Sequence, residues 1–170
     1  MTIRPATPAD LRAIHDLHLS NWRAAYRALL PDATLEGEAA RYLAARWGGG
    51  ALQRDSVFVA CDGGALAGFV ALLFAPEGHV YVDNLHVAPE ARGRGLSRAL
   101  MAMAARLAAA RPVRLTVLDG NTQARAVYAG WGGSESPAYA AEFLGVRVQE
   151  RQVDWPSGTA LAQAVAERAP

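Results

Sequence analysis

The spacing of apolar positions changes several times along the chain, and each change marks a predicted element. Leu11, Ile14, His18, Trp22, Tyr26 and Leu29 recur at three- to four-residue intervals, which predicts a helix running toward Pro31. Thr7-Pro8-Ala9-Asp10 begins it with an N-cap residue, a proline at the first helical position and an acid in the first turn. Residues 2–6 read as a short strand before it, and residues 35–47 as a second helix that Gly48-Gly49-Gly50 stops. The period then shortens. Residues 56–61 and 65–74 read as strands around the hairpin signal Asp62-Gly63-Gly64, and the turn Pro76-Glu77-Gly78 leads into a third strand, 80–87. Leu96, Leu100, Met103 and Leu107 restore the helical interval, and residues 113–118 form a buried strand. Such a strand-helix-strand unit crosses over right-handed and makes its two strands parallel, so the sheet is mixed. Beyond Gly133 the pattern loosens. An irregular strand within 135–143 and a final one within 146–155 are expected, with 157–170 either a terminal helix or a loose tail.

Two interruptions point to chemistry. In strand 80–87 the alternation lapses at Asp83-Asn84, which predicts a β-bulge and freed backbone N–H and C=O groups. The loop Arg92-Gly93-Arg94-Gly95 lies where that strand hands over to a helix N-terminus. There the first amides have no intrahelical partner and the macrodipole is positive, while glycines allow close approach, so the loop suits a phosphate. A P-loop would need a lysine, and the chain has none. A dinucleotide fingerprint would need a third glycine where Arg98 stands.

The remaining pattern, Arg92-x-x-Gly95-x-Ser97, resembles the R/Q-x-x-G-x-G/A signature of the GNAT superfamily of acyl-CoA-dependent N-acetyltransferases, with Ser at the last small-residue position. Asn121, Ala124, Val127, Tyr128 and Gly132 are similar to that family's N-x-x-A-x-x-φ-Y-x-x-x-G segment, φ being apolar, with Gly133 where Phe is usual. Asn21 to Asp32 is similar to a W-R-x-A-Y-x-G-L-L-P-D stretch common in one bacterial branch. The resemblance covers most of the chain and is strongest over 80–132. It implies a single α/β domain over 1–170: a central mixed, mostly antiparallel sheet of about six to seven strands flanked by helices, with parallel strands splayed at the centre to admit a pantetheine arm.

The resemblance also implies acetyl-CoA as co-substrate and an amine as acceptor. Arg92, Gly93, Arg94, Gly95, Leu96 and Ser97 would hold the diphosphate, Leu85, His86 and Val87 the pantetheine and acetyl carbonyl, with Asn121 and Tyr128 completing the cofactor side. Trp22 and Tyr26 would border the acceptor, although both also read as core aromatics. Tyr128 matches the family's general acid: a phenol of pKa about 10 stays protonated at neutral pH and can protonate a departing thiolate. Tyr81 stands where many relatives carry a basic glutamate, so Asp83 becomes the first candidate base, acting directly or through water, with His86 and His79 behind it. Deprotonating a lysine-like amine at pH 7 costs about 4.6 kcal/mol and an α-amine about 1.1, so a weak base favours α-amines. Two alternatives stay open: a protein or peptide N-acetyltransferase, and a non-catalytic CoA-binding sensor or interaction module.

Composition narrows the partners. Of the 170 residues 52% are hydrophobic and 19% charged, which fits a folded globular chain with a sizeable core. The net charge is +1 and all 17 basic residues are arginine, so no general attraction to nucleic acid or membrane is expected, and Schiff-base lysine chemistry is excluded. Cys61 is the only cysteine, which rules out an intrachain disulfide and fits a reducing cytoplasm. His15 and His18 lie three apart on the first helix without companion ligands, so no metal is expected. A homodimer through an exposed sheet edge is left open.

Overall fold

In the computed structural model, which describes residues 1–167, the strand patterns join into one eight-stranded sheet. β1 (Thr2–Pro5), β2 (Ser56–Asp62), β3 (Ala65–Phe74) and β4 (Val80–Val87) are neighbours in that order and antiparallel. β5 (Val113–Leu118) lies parallel to β4, and β8 (Val146–Trp155) returns antiparallel on β5. β6 (Ser134–Glu135) and β7 (Tyr139–Phe143) both pair with β8. The expected strand within 135–143 is thus two short ones, broken around Pro137, and the count rises to eight.

The helices α1 (Leu11–Tyr26), α2 (Ala39–Arg46), α3 (Ala51–Arg54), α4 (Leu96–Ala108), α5 (Thr122–Gly130) and α6 (Gly158–Glu167) flank this sheet. β3 is covered on both faces, and residues 67–72 are all buried. Phe69 and Ala71 pack with Ile14 and Trp22 of α1 and Leu43 of α2. Val70 and Leu72 face the opposite cluster, with Leu100, Met101 and Ala104 of α4 and Leu161 of α6. Burying each large apolar side chain stabilises the fold by roughly 1.5–3 kcal/mol, so these two layers fix the sheet between its helices.

Several boundaries differ from the sequence pattern for local reasons. A 3-10 turn at Pro8–Asp10 precedes α1, and the Asp10 carboxylate accepts from the Thr7 N–H at 2.7 Å. α1 ends at Tyr26, where Leu29 and Leu30 both donate to the Tyr26 carbonyl, and Pro31 has no N–H with which to carry the ladder on to Arg27. The expected helix 35–47 opens as a π-helical turn, Thr34–Glu38, containing Gly37, and becomes α-helical at Ala39. α3 is a single turn after the triple glycine, too short for periodicity to reveal. The chain closes as the helix α6; residues 168–170 of the expected terminal segment lie outside the described residues.

The sheet opens at its centre. Only Val80–Val113 and Tyr81–Arg114 are paired across β4 and β5, supported by a 2.8 Å bond from the Val80 N–H to the Pro112 carbonyl. Immediately beyond, Ala71 of β3 opposes Asn84 while Leu72 opposes Val82, so Asp83 is the extra residue of a bulge. The bulge stands where the polar interruption predicted it, and bulges bend the strand that carries them. β4 turns away from β5, and the two strands form the sides of a wedge.

Candidate functional site

The wedge widens into a cleft of about 880 Å³, within the usual range for a small-molecule site. Its sides are residues 82–87 of β4 and 115–118 of β5, its ends α1 and α5, and its rim the loop before α4. Antiparallel strands alternate the direction of their backbone groups. The Ala88 N–H donates to Ala67 on β3, so the N–H and C=O of Leu85 and Val87 face the gap, while those of His86 face β3. The Val87 carbonyl accepts from Asn21 Nδ2 at 3.1 Å, consistent with that direction.

The rim is the glycine loop. A 3-10 turn, Pro89–Ala91, anchored by buried Ala91, delivers the chain to Gly93 (φ 73°) and Gly95 (φ 75°), both in the left-handed region that suits glycine. Open space surrounds both Cα positions, and Leu96 is buried beneath. Among the described residues, the amides of Gly93 to Ser97 donate to no backbone carbonyl outside a regular element, and Gly95 is the N-cap of α4. This leaves a fan of donors at a positive helix end. Arg92 donates to Asn21 Oδ1 at 3.0 Å, so buried Asn21 ties the loop, α1 and β4 together. Arg94 does not line the cleft; it pairs with Asp62 of β2 at 2.7 Å. Arg98, in the first turn of α4 and just past the motif, does line it.

Across the cleft, α5 presents Tyr128. Asn121 caps this helix by accepting from the Ala124 N–H at 3.2 Å, and Trp131 and Trp155 flank the Tyr128 ring at 6.1 and 6.3 Å. Burial pushes the Tyr128 phenol well above its ordinary value, reinforced by Tyr26 and Tyr81. Tyr26 is likewise pushed up to about 12 by burial, despite a hydrogen bond with Asn121. Both phenols are protonated at neutral pH.

The end of the cleft beside α1 is aromatic. Trp22 and Tyr26, the residues expected beside an acceptor, line it and also belong to the core: Trp22 is 7% exposed. Phe143 of β7 meets Trp22 at 5.0 Å and Tyr26 at 5.8 Å, and Tyr42 of α2 stacks on Trp22 at 5.9 Å. Two carboxylates reach this end. Asp83 is engaged by Arg46 at 2.6 Å and by the Asn84 amide at 2.5 Å, and Arg46 also pairs with buried Asp55 at 2.7 Å. Glu150 of β8 accepts from the Tyr139 hydroxyl at 3.4 Å and makes no ion pair among the described residues. Burial raises its carboxyl above the usual range.

Among the histidines, His86 lines the cleft and burial pulls it down to about 3, with Arg92 adding to the shift. His18 packs against it at 4.3 Å and accepts from Trp47 Nε1 at 3.0 Å, which puts the proton of its neutral ring on Nε2. His79 sits at the β3–β4 turn, away from the cleft. Among the described residues no three His, Cys, Asp or Glu side chains converge. No helix among them is long and apolar enough to cross a membrane. Sequence reading missed Tyr42, Arg46, Arg98, Phe143 and Glu150 as cleft residues. Glu150 left one signal: it continues the Val146–Val148 face of its strand, an acid where the alternation calls for an apolar residue.

A mixed sheet parted beside a helix N-terminal amide fan, with a buried phenol opposite, defines an acyl-CoA-dependent acyltransferase architecture. The chain belongs to the acetyltransferase (GNAT) family, whose model matches residues 11–132. Solved structures with the same fold include the PaiA N-acetyltransferase from Thermoplasma acidophilum in complex with coenzyme A, at 13% identity and TM-score 0.68, covering 91% of this chain and all of that one. The apo form of YjaB from Escherichia coli gives 18% and 0.70, covering 90% of this chain and 95% of that one. A ribosomal-protein-alanine N-acetyltransferase from Brucella melitensis gives 22% and 0.60, covering 89% and 98%. No curated protein matches the chain in sequence.

Proposed function

We propose that this protein transfers an acetyl group from acetyl-CoA to the primary amine of a small molecule by direct attack in a ternary complex. The observation that carries the reading is convergence: the amide fan, the gap-facing backbone of Leu85 and Val87, and the Tyr128 phenol all open onto one cleft. The residues fit the cofactor. The amides of Gly93 to Ser97, with Arg92 and Arg98, suit its diphosphate, and the freed backbone groups of Leu85 and Val87 suit pantetheine amides. Bound acetyl-CoA supplies the acetyl group as a thioester.

The protein's own groups do the rest. A gap-facing N–H of Leu85 or Val87 polarises the carbonyl under attack. Tyr128, a phenol that burial holds still further from ionisation, hands its proton to the leaving thiolate. Asp83 is committed to Arg46 and Asn84, which suits a wall that sets the shape of the acceptor end and leaves the proton-accepting role to another group. The ring-lined wall of Trp22, Tyr26, Tyr42 and Phe143 supports a compact acceptor.

Thiol release from acetyl-CoA against a panel of amines tests the reading. Tyr128→Phe should lower kcat about 100-fold, within the usual range for losing a general acid, and leave CoA affinity unchanged. A Tyr128→Phe protein with full kcat would refute the assignment of Tyr128. A wild type that binds CoA but acetylates no amine would favour a non-catalytic CoA-binding role.

A further inference from the structure

We propose that Glu150 receives the acceptor's ammonium group and takes its proton, and that the acceptor is a cationic amine carried on an apolar, ring-sized body. This rests on the acetyltransferase reading and deepens it. Glu150 occupies a junction: on β8 it opposes Leu118 at the end of β5 and Tyr139 of β7, at the mouth of the wedge. Of the two carboxylates lining the cleft, Asp83 is ion-paired with Arg46, whereas among the described residues the only side chain bonded to Glu150 is a phenol hydroxyl 3.4 Å away. An unpaired, half-buried carboxylate favours a cationic visitor that restores its missing partner.

The surroundings select the rest of the ligand. The rings of Trp22, Tyr26 and Phe143 form a wall assembled before any ligand arrives, held edge-to-face at 5.0–5.8 Å where Phe143 meets the other two. Aromatic faces attract a cation and an apolar body alike. The titratable groups that interact with Glu150 are Tyr26 on α1, Tyr81 on β4 and Tyr139 on β7; Tyr128 on α5 and Asp83 on β4, with Arg46 of α2 beside it, line the same cleft. Four of these six are phenols and Asp83 is held by Arg46, so Glu150 is the carboxylate of this end that no cation engages, and it is the proton acceptor. Its raised carboxyl makes it a better base than an exposed glutamate.

The step balances. The ammonium nitrogen loses a proton to Glu150; its lone pair forms the C–N bond as the C–S bond breaks. The departing sulfur takes the Tyr128 proton, the phenolate regains one from the new amide nitrogen, and Glu150 returns its proton to solvent.

Phenethylamine and its neutral counterpart 2-phenylethanol are titrated calorimetrically into the CoA-saturated protein, wild type and Glu150→Gln. The wild type should bind the amine at least about tenfold more tightly than the alcohol, and Glu150→Gln should erase that preference with CoA affinity unchanged. In turnover, Glu150→Gln should raise KM for the amine, lower kcat about 100-fold and remove the ascending limb of the kcat/KM pH profile. A Glu150→Gln protein that keeps the preference or the ascending limb overturns the Glu150 assignment alone, as does a wild type that binds the alcohol as well as the amine. Intact CoA binding with no transfer to any amine overturns the acetyltransferase reading and with it the proton step.

Discussion

Gly68 of β3 stands opposite Val87 of β4, and a Cβ built on it would lie 2.7 Å from the His86 carbonyl oxygen and 3.2 Å from Leu100 Cδ1. The nearer obstacle is backbone, so Gly68→Ala cannot be relieved by a rotamer change. Restoring ordinary contact at about 3.4 Å requires β4 to move by about 0.7 Å at the stretch that leads into the glycine loop. Overpacking of this kind typically costs about 1–3 kcal/mol. For a chain of this size about 2 kcal/mol corresponds to a fall in Tm of about 4–8 °C. The same shift strains the 3.1 Å bond from Asn21 to the Val87 carbonyl and, through Asn21, the orientation of Arg92. Losing one such charge-assisted contact, about 1.4 kcal/mol, weakens CoA binding about tenfold. Thermal unfolding and calorimetric titration with CoA read both effects. Gly37→Ala is the control: nothing lies within 4 Å of a Cβ there, and alanine suits its helical turn, so Tm should hold or rise slightly. A Gly68→Ala protein with wild-type Tm and CoA affinity would refute the claim that close β3–β4 approach sets the loop.

Other outcomes follow from the same contacts. Asn21→Ala leaves the Val87 carbonyl without its donor and frees Arg92, so stability should fall by about 1–3 kcal/mol in denaturant titration and CoA Kd should rise. Arg46→Met strands Asp55, whose side chain is 3% exposed, and should cost about 3–5 kcal/mol; adding Asp55→Asn should recover part of it, and no recovery would show that packing, not charge, carried the loss. Arg4 holds the Asp10 carboxyl well below the usual range, and Arg125 lowers that of Glu135. Both folded-state values lie below the unfolded ones, so this stability is present above about pH 4 and lost as pH falls through the depressed values. Tm should therefore drop on acidification below pH 4, less steeply in Asp10→Asn; an unchanged slope would count against the linkage.

Legibility followed the range of the interaction that decides each feature. Helix and strand patterns set by neighbours three, four or two residues away were readable, as was the Asp83 bulge, because polar residues interrupted a strict alternation. The glycine loop and Tyr128 were readable as motifs, since the close approach and the helical placement leave local marks. What sequence did not carry was pairing between distant residues. Arg94 looked equivalent to Arg92, yet Asp62 of another strand draws it away from the cleft. Asp83 looked like a free carboxylate until α2 brought Arg46 against it, 37 residues distant in the chain. Glu150 entered the cleft only because β8 pairs with both β5 and β7, a consequence of strand order that no local pattern encodes.

The brief ladder between β4 and β5 has a mechanical consequence. With two residue pairs and one flanking bond joining the halves of the sheet, the angle of the wedge is not fixed by backbone hydrogen bonds. It is set by packing beneath, where Ala104, Ala105 and Ala108 of α4 share one buried cluster with Val80 and Val82 of β4 and with Val113, Leu115 and Val153 of the other half. Aperture is therefore a function of side-chain volume in that layer, and enlarging those alanines resizes the opening without touching a residue that lines it.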